Sequence, residues 1–325
     1  MGGSVAWLFP GQGSQAVGMA RSLAEASVAA REVLAVAEAT YAGPLTTIMF
    51  DGPPEALQAT ATAQPAIVGA SLAALAALRE AWTARSGDAL PDPAAVAGHS
   101  VGEFAALVAS GATDIATGLA LTCERARLMQ WAADTNPGGM VAVLGLEIDQ
   151  VEASCTAARE AVAGSFVTVA NHNAITPSQV VIAGDAPGLA EASARCKAAG
   201  ARRCVPLAVG GAFHSPAMAP AREGLARAVA MAPIGPARTP LVANVTARSL
   251  FTPRELRAEL AEQVTSRVRW AETMATLANA GCTRFVEFGS GAVLSGLVQR
   301  AIPGAETIQV GDAEGVARAV EWLAS

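Results

Sequence analysis

The sequence predicts an α/β fold with a mostly parallel β-sheet and a small inserted domain. Short β-type runs alternate with long Ala- and Leu-rich helical segments, which is the pattern of parallel α/β proteins. One internal region departs from this alternation and follows the order β-α-β-β-α-β, which is typical of a ferredoxin-like unit. At roughly 150 residues per domain, the 325 residues correspond to about two domains or to one large domain with an insertion.

The elements of the large domain follow from their hydrophobic periodicity. The first predicted strand, 5–9, runs directly into a Gly-rich loop at 10–15. Apolar residues at helical spacing predict helices at 15–39, 63–83, 101–110, 114–133, 215–231, 269–280, 291–301 and 313–324. Further strands are predicted at 94–98, 240–243, 284–288 and 306–310. The uncharged stretch 56–78 is as long as a membrane span, but Gln58, Gln64 and Pro65 favour a buried helix.

The inserted domain is predicted from four β-type runs and two helical segments. The strands are expected at 140–144, 166–170, 179–183 and 203–208, and the helices near 148–163 and 186–199. We place this small domain at 135–206. Residues 1–134 and 207–325 then form one catalytic domain on either side of it.

Composition excludes several classes of protein. The residues are 52% hydrophobic and 15% charged, unlike those of a disordered chain, and 22 Lys+Arg against 28 Asp+Glu give a net charge of −6 without a basic block. Nucleic acid is therefore not an expected partner. The N-terminus lacks the basic start and apolar segment of a secretory signal, so we expect a cytoplasmic protein that is not bound to membranes. Five cysteines without a C-x-x-C pair or metal-like spacing predict reduced thiols and no metal site.

A candidate nucleophile lies between a predicted strand and a predicted helix. Gly98-His99-Ser100-Val101-Gly102 matches G-x-S-x-G in strand-turn-helix context, the nucleophile elbow arrangement. Glycines permit a sharp turn that exposes the hydroxyl, and the helix N-terminus places amides and partial positive charge beside a forming oxyanion. The alternative interpretation is an ordinary Gly-Ser-Gly turn that caps a helix.

A serine nucleophile needs a base, and the chain has three histidines. His99 adjoins Ser100, so its side chain should point elsewhere. His172 lies in a predicted loop of the insertion, where a structural role is favoured. His214 stands in a small-residue loop before Pro216, near the first turn of a helix. Elimination favours His214 as the base, and the alternative is a loop residue held by backbone groups.

Five segments together resemble the malonyl-CoA:acyl-carrier-protein transacylases. They are FPGQGSQ at 9–15, GHSVGE at 98–103, ERARLMQ at 124–130, QVVIAG at 179–184 and GAFHS at 211–215, and the resemblance spans nearly the whole chain. The family contains fatty-acid enzymes and free-standing acyltransferases of polyketide synthesis. The resemblance implies an α/β-hydrolase-like large domain with a mostly parallel sheet and an inserted ferredoxin-like small domain.

The resemblance also implies the role of each site residue. Ser100 is the nucleophile and His214 its base, with the imidazole oriented by backbone carbonyls rather than by a carboxylate. The backbone amides of Gln12 and Val101 form the oxyanion hole. Arg125 binds the free carboxylate of malonate through its planar guanidinium.

Two further residues bear on the choice of substrate and pathway. Phe213 stands where malonyl-selective members carry phenylalanine, and its ring would crowd a branched α-carbon; packing in the core is the alternative role. Arg269 stands where fatty-acid members often carry glutamine and polyketide members commonly carry arginine. Arg269 favours specialised metabolism, and the expected pathway is polyketide or fatty-acid synthesis.

The expected activity is transfer of a malonyl group from malonyl-CoA to the phosphopantetheine thiol of an acyl carrier protein through a malonyl-Ser100 ester. The resemblance implies no bound cofactor and no metal, because the CoA thioester is a substrate and phosphopantetheine belongs to the carrier protein. We expect a monomer. The alternatives are a serine hydrolase or editing thioesterase, a transacylase for another acyl unit, and a non-catalytic protein that binds carriers.

Overall fold

The structure, a computed structural model, describes residues 4–325. Part of the N-terminal segment used to argue against a secretory signal, residues 1–3, lies outside the described residues. Ten strands form two sheets: β1 (Ser4–Phe9), β2 (Ala95–Gly98), β3 (Gly139–Leu144), β4 (Val167–Ala174), β5 (Gln179–Gly184), β6 (Arg203–Pro206), β7 (Leu241–Val242), β8 (Ser249–Leu250), β9 (Cys282–Phe288) and β10 (Glu306–Val310).

Fourteen α-helices are formed by the described residues. They are α1 (Arg21–Ala26), α2 (Val28–Tyr41), α3 (Leu45–Asp51), α4 (Pro54–Gln58), α5 (Thr60–Ser86), α6 (Gly102–Ala109), α7 (Ile115–Thr135), α8 (Ile148–Ala161), α9 (Ala186–Ala198), α10 (Ala219–Met231), α11 (Pro253–Glu262), α12 (Trp270–Asn279), α13 (Val293–Ala301) and α14 (Ala313–Ala324). Short 3₁₀ turns at Pro216–Met218 and Gln263–Thr265 adjoin α10 and α11.

The large sheet has six strands in the order β10-β9-β1-β2-β7-β8. All neighbouring pairs are parallel except β7 and β8. Strand β1 lies between β2 and β9, and Trp7, Leu8 and Phe9 are almost fully buried because helices cover both faces of the sheet. The carboxyl ends of β1 and β2 meet side by side, which is the edge where open α/β sheets bind ligands.

The small sheet is antiparallel throughout and has the order β4-β5-β3-β6. Its chain order, β3-α8-β4-β5-α9-β6, gives the ferredoxin-like arrangement. Val143, Val180 and Ile182 on its strands pack with Val151 and Cys155 of α8 to form a separate hydrophobic core. A mostly parallel large sheet with a separate antiparallel unit confirms the predicted fold class.

Helix α5 is the candidate membrane span of the sequence, and it is a core helix. It is the one helix of the described residues that is long and apolar enough to cross a bilayer, and 89% of its apolar window is buried inside the molecule. The helix packs between α2 and α7. This position brings Gln64 into the interior, where it is 1% exposed.

Several predicted boundaries were wrong, for local reasons. The helix predicted at 15–39 is two helices, because Ser27 adopts extended dihedral angles and its side chain caps α2 by accepting from Ala30 N. Helices α3, α4 and α11 were not predicted. Strand β4 continues to Ala174, so a four-residue loop joins it to β5, and His172 lies on a strand rather than in a loop.

Candidate active site

Ser100 lies in a strained turn between β2 and α6. Its φ angle is +51°, in the left-handed region that non-glycine residues rarely adopt. A Cβ atom on Gly98 would come within 2.1 Å of the Gly102 carbonyl carbon, and one on Gly102 within 2.1 Å of the Phe9 carbonyl oxygen. Only glycine fits at both positions, because the strand, the helix and the end of β1 approach so closely. The turn therefore holds the Ser100 hydroxyl at the edge of the sheet.

His214 contacts the Ser100 hydroxyl directly. Its Nε2 lies 2.7 Å from Ser100 Oγ, while its Nδ1 lies 2.9 Å from the Gln263 carbonyl oxygen and 3.1 Å from the Ser266 carbonyl oxygen. Carbonyl oxygens only accept, so Nδ1 carries the proton and Nε2 is free to accept from the serine. Burial, and secondarily the charge of Arg125, lowers the pKa of His214 to about 3. The imidazole is therefore neutral at physiological pH and can act as a base.

The other two histidines do not reach Ser100. His99 Nε2 lies 3.0 Å from Asn173 Oδ1, and the ring packs edge-on against Trp270 at a centroid distance of 5.3 Å. His172 Nδ1 lies 3.2 Å from Glu272 Oε2. Each therefore has a polar partner outside the Ser100–His214 pair.

Arg125 extends from α7 into the same site and is 1% exposed. Its Nη1 donates to Gln64 Oε1 at 2.6 Å, and its Nη2 donates to Gln263 Oε1 at 2.9 Å and to Ser100 Oγ at 3.1 Å. The guanidinium also lies over the Phe104 ring, 5.6 Å from its centroid. Burial lowers the pKa of Arg125 to about 9, so it remains a cation at neutral pH. A positive charge is thus fixed beside the serine hydroxyl.

Gln12 and Val101 bring two backbone amides to the turn. Gln12 follows Gly11, where a Cβ atom would come within 2.6 Å of the His99 carbonyl oxygen, so its loop lies against the turn. Val101 immediately precedes the first residue of α6. Within residues 4–325, neither amide donates a hydrogen bond. The Gln12 side chain turns away, with Nε2 3.5 Å from Thr60 Oγ1.

Phe213 is 5% exposed and belongs to the largest hydrophobic cluster. Its ring lies against Gly211, where a Cβ atom would come within 3.0 Å of Phe213 Cε1. His214, the next residue, has φ of +56°, so the backbone bends sharply between the buried ring and the imidazole. The ring is therefore fixed by packing next to the site.

Sequence reasoning missed the side-chain amides and the carboxyl that support Arg125 and the Ser100 turn. Gln64 and Gln263 hold Arg125, and Asn244 Oδ1 accepts from Ser100 N at 2.7 Å. Glu103, a fully buried side chain in the first turn of α6, contacts both Asn244 and Gln263. The sequence feature that could have indicated these residues is an isolated polar residue within an apolar run, as at Gln64. No group of three or more metal-ligating side chains is formed by residues 4–325.

A hydroxyl on a strand-helix turn in contact with a neutral imidazole is the arrangement of enzymes that act through a serine nucleophile. The family model for the acyl transferase domain matches residues 6–317, and the chain belongs to this family.

Curated and solved proteins of similar length match nearly the whole chain. The malonyl CoA-acyl carrier protein transacylase of Bacillus subtilis is 36% identical over 319 residues, which cover 98% of this chain and 97% of that protein. The acyl-carrier-protein-S-malonyltransferase of Bartonella henselae superposes with a TM-score of 0.91 at 34% identity and covers 99% of this chain and 100% of its own. A malonyl-transacylase solved in complex with its type II polyketide acyl carrier protein gives a TM-score of 0.89 at 34% identity, with 98% and 99% coverage.

Proposed function

We propose that this protein transfers a malonyl group from malonyl-CoA to the phosphopantetheine thiol of an acyl carrier protein. The observation that carries this proposal is the convergence of two side chains, His214 and Arg125, on the Ser100 hydroxyl oxygen. Ser100 Oγ lies 2.7 Å from His214 Nε2 and 3.1 Å from Arg125 Nη2. A nucleophile, a base and a fixed cation at one point suit an acyl donor whose far end is anionic.

In the first half-reaction, His214 Nε2 takes the proton of Ser100 as Oγ attacks the thioester carbonyl of malonyl-CoA. The amides of Gln12 and Val101 donate to the oxyanion, and loss of one such donor typically costs about 10²- to 10³-fold in rate. The carbon–sulfur bond then breaks, and the CoA sulfur leaves with the proton held by His214. A malonyl-Ser100 ester remains, and Arg125 binds its free carboxylate.

In the second half-reaction, the phosphopantetheine thiol of the carrier protein enters in place of CoA. His214 accepts the thiol proton as the sulfur attacks the Ser100 ester, and the proton returns to Ser100 Oγ when the ester bond breaks. Both halves use the same groups in opposite order. No bound cofactor or metal enters either step, because the thioester supplies the activated acyl group.

A buried cation favours transfer of malonyl over hydrolysis of neutral acyl chains. Arg125 is 1% exposed and fixed by two glutamine oxygens, so a hydrocarbon chain entering the site would leave it without an anionic partner. The names of the relatives in Bacillus subtilis and Bartonella henselae point in the same direction. We therefore rank hydrolase or editing thioesterase activity below malonyl transfer.

The carrier protein is the proposed macromolecular partner, as it is for the similar malonyl-transacylase solved in complex with one. We propose a catalytic domain formed by residues 1–134 and 207–325, interrupted by a small domain at 135–206. We further propose that the protein acts as a monomer in the cytoplasm, where both CoA thioesters and carrier proteins are present. Sedimentation of the purified protein tests the monomer, and independent expression of 135–206 tests the domain boundary.

The test of the function is intact-mass spectrometry in two steps. Mixing the protein with malonyl-CoA is expected to give an adduct with the mass of one malonyl group, which peptide mapping assigns to Ser100. Adding a phosphopantetheinylated carrier protein is then expected to move this mass to the carrier. Release of free malonate without transfer would support hydrolysis, and absence of any adduct would refute the proposal.

A further inference from the structure

Glu103 is a buried carboxyl directly behind the nucleophile that takes no part in the proposed chemistry. The side chain is 0% exposed. Its Oε1 accepts from Asn244 N at 2.9 Å and from Asn244 Nδ2 at 3.1 Å, and its Oε2 accepts from Gln263 Nε2. Three donors therefore converge on one carboxyl at the start of α6.

The two amides that Glu103 contacts extend to the reacting groups. Asn244 Oδ1 accepts from Ser100 N at 2.7 Å, and Gln263 Nε2 also donates to the Ser100 carbonyl oxygen at 2.9 Å. At its other end, Gln263 Oε1 accepts from Nη2 and Nε of Arg125 at 2.9 and 3.2 Å. Gln263 is thus an amide bridge between Glu103 and Arg125.

The bridge works in only one orientation of the Gln263 amide. Carboxylate oxygens accept hydrogen bonds, so Glu103 fixes the NH₂ end of Gln263 towards itself and the oxygen towards Arg125. If the amide were reversed, its NH₂ group would face the guanidinium, and two donors would meet in a fully buried site. Leaving buried polar groups unpaired in this way is unfavourable. Glu103, together with the Ser100 carbonyl oxygen, therefore holds Gln263 Oε1 as an acceptor for Arg125.

A second buried carboxyl, Glu259, lies beside Glu103. Glu259 is 5% exposed and accepts from Val245 N at 2.7 Å. Burial, and then the neighbouring Glu259 charge, raises the pKa of Glu103, and burial raises the pKa of Glu259 to about 7. Two adjacent carboxyls in such a site hold one proton between them. The contacts of Glu103 with Asn244 and Gln263 are those of an acceptor.

We propose that Glu103 is a positioning residue for malonyl recognition, because it orients the Gln263 amide that holds Arg125 towards Ser100. This inference rests on the proposed function. Glu103 touches no substrate and acts entirely through Gln263. Its removal should therefore weaken binding of an acyl donor with a distal carboxylate more than binding of one without it.

The test compares Glu103→Gln with Glu259→Gln as a matched control. In Glu103→Gln, the carboxamide oxygen satisfies the two donors of Asn244, and its NH₂ faces the Gln263 NH₂. Two opposed donors disfavour the orientation in which Gln263 Oε1 accepts from Arg125. In Glu259→Gln, the new oxygen accepts from Val245 N, and the contacts of Glu103 with Asn244 and Gln263 are left in place. Single-turnover acylation of each variant is followed by mass spectrometry over a concentration series of malonyl-CoA and of acetyl-CoA.

Glu103→Gln is expected to raise the half-saturating concentration of malonyl-CoA about tenfold and that of acetyl-CoA about threefold or less, since a charge-assisted hydrogen bond is lost only with malonyl. Glu259→Gln is expected to stay within about threefold of the wild type for both substrates. Equal losses for both substrates in Glu103→Gln, or a Glu259→Gln variant that matches it, would overturn the inference. Absence of a malonyl adduct in the wild type would instead refute the proposed function.

A second variant keeps the inference testable if Glu103→Gln does not fold, as judged by circular dichroism. Gln263→Met removes the amide bridge but keeps the main-chain carbonyl that accepts from His214 Nδ1. The same selective loss for malonyl-CoA is expected. An unchanged ratio of malonyl to acetyl acylation in Gln263→Met would show that the bridge does not position Arg125.

Discussion

Replacing Arg125 with alanine removes the cation proposed to bind the malonyl carboxylate. In the structure, Nη2 of Arg125 donates to Ser100 Oγ at 3.1 Å, and one Nη1 hydrogen donates to Gln64 while the other has no acceptor within the described residues. Acylation of Ser100 removes the hydroxyl, so the terminal edge of the guanidinium can then face the carboxylate with one hydrogen from each Nη. The perturbation therefore deletes a bidentate pair and leaves most other site groups in place.

The magnitude follows from two charge-assisted hydrogen bonds of about 1.5–3 kcal/mol each. Their sum, about 3–6 kcal/mol, corresponds to a loss of about 10²- to 10⁴-fold in kcat/KM for malonyl-CoA. Acetyl-CoA presents no distal carboxylate, so its much weaker acylation should change by less than about tenfold. Arg125→Lys keeps a charge but not the fork, and an intermediate loss for malonyl-CoA is expected.

The assay is the initial rate of acylated protein formation with each donor, measured by intact-mass spectrometry. Thermal unfolding serves as the control, because Gln64 and Gln263 lose their donor and about 1–3 kcal/mol of stability is expected to go with each buried acceptor left unpaired. Measurements are therefore made well below the melting temperature of the variant. Equal losses for malonyl-CoA and acetyl-CoA would show that Arg125 supports the fold of the site rather than recognising the carboxylate.

Four further outcomes are expected. Ser100→Ala should abolish the malonyl adduct without unfolding the protein, and a residual adduct would place the nucleophile elsewhere. His214 has a pKa lowered to about 3, so acylation should not decline from neutral pH to about pH 5; the unfolded histidine takes up a proton below about 6.5, so the contribution of His214 to stability should fall by about 1.4 kcal/mol per pH unit from about 6.5 to about 3, measured by urea unfolding as the difference between the wild type and His214→Gln. Phe213→Ser should raise methylmalonyl relative to malonyl use by about 10- to 100-fold in competition assays, and an unchanged ratio would show that the ring does not limit the α-carbon. Gly102→Ala should cost about 1–3 kcal/mol or more in thermal unfolding, since its Cβ would lie 2.1 Å from the Phe9 carbonyl oxygen; a stable, active variant would contradict the close packing.

The fold was predictable because its signals are local. Periodicity predicted nine of the strands and most of the helices, although it merged α1 with α2 and missed α11, and the β-α-β-β-α-β order predicted the antiparallel sheet. The break at Ser27 was not predictable in the same way, since one serine in an Ala-rich run is compatible with a continuous helix and acts as a cap only in its extended conformation. Short helices such as α3 and α4 carry too few turns for a periodic signal.

Part of the candidate site was predictable from a contiguous motif, and the rest depends on residues that are far apart in the sequence. Ser100 and its glycines form one contiguous motif, so their sequence alone suggested a turn. Gln64 and Gln263 lie 61 and 138 positions from Arg125. No spacing rule relates residues so far apart, and a glutamine in an apolar helix reveals a buried partner without revealing which one. The supporting network therefore became visible only in three dimensions.

The choice of acceptor for His214 follows from the charge of its neighbour. A carboxylate at Nδ1 would place an anion close to Arg125, and a fixed anion there would compete with the malonyl carboxylate for the guanidinium. The carbonyls of Gln263 and Ser266 fix the same tautomer without adding charge. The buried carboxyl of Glu103 is separated from Arg125 by the Gln263 amide. A neutral orienting group for the imidazole thus keeps the cation available to the substrate, at the cost of a weaker base.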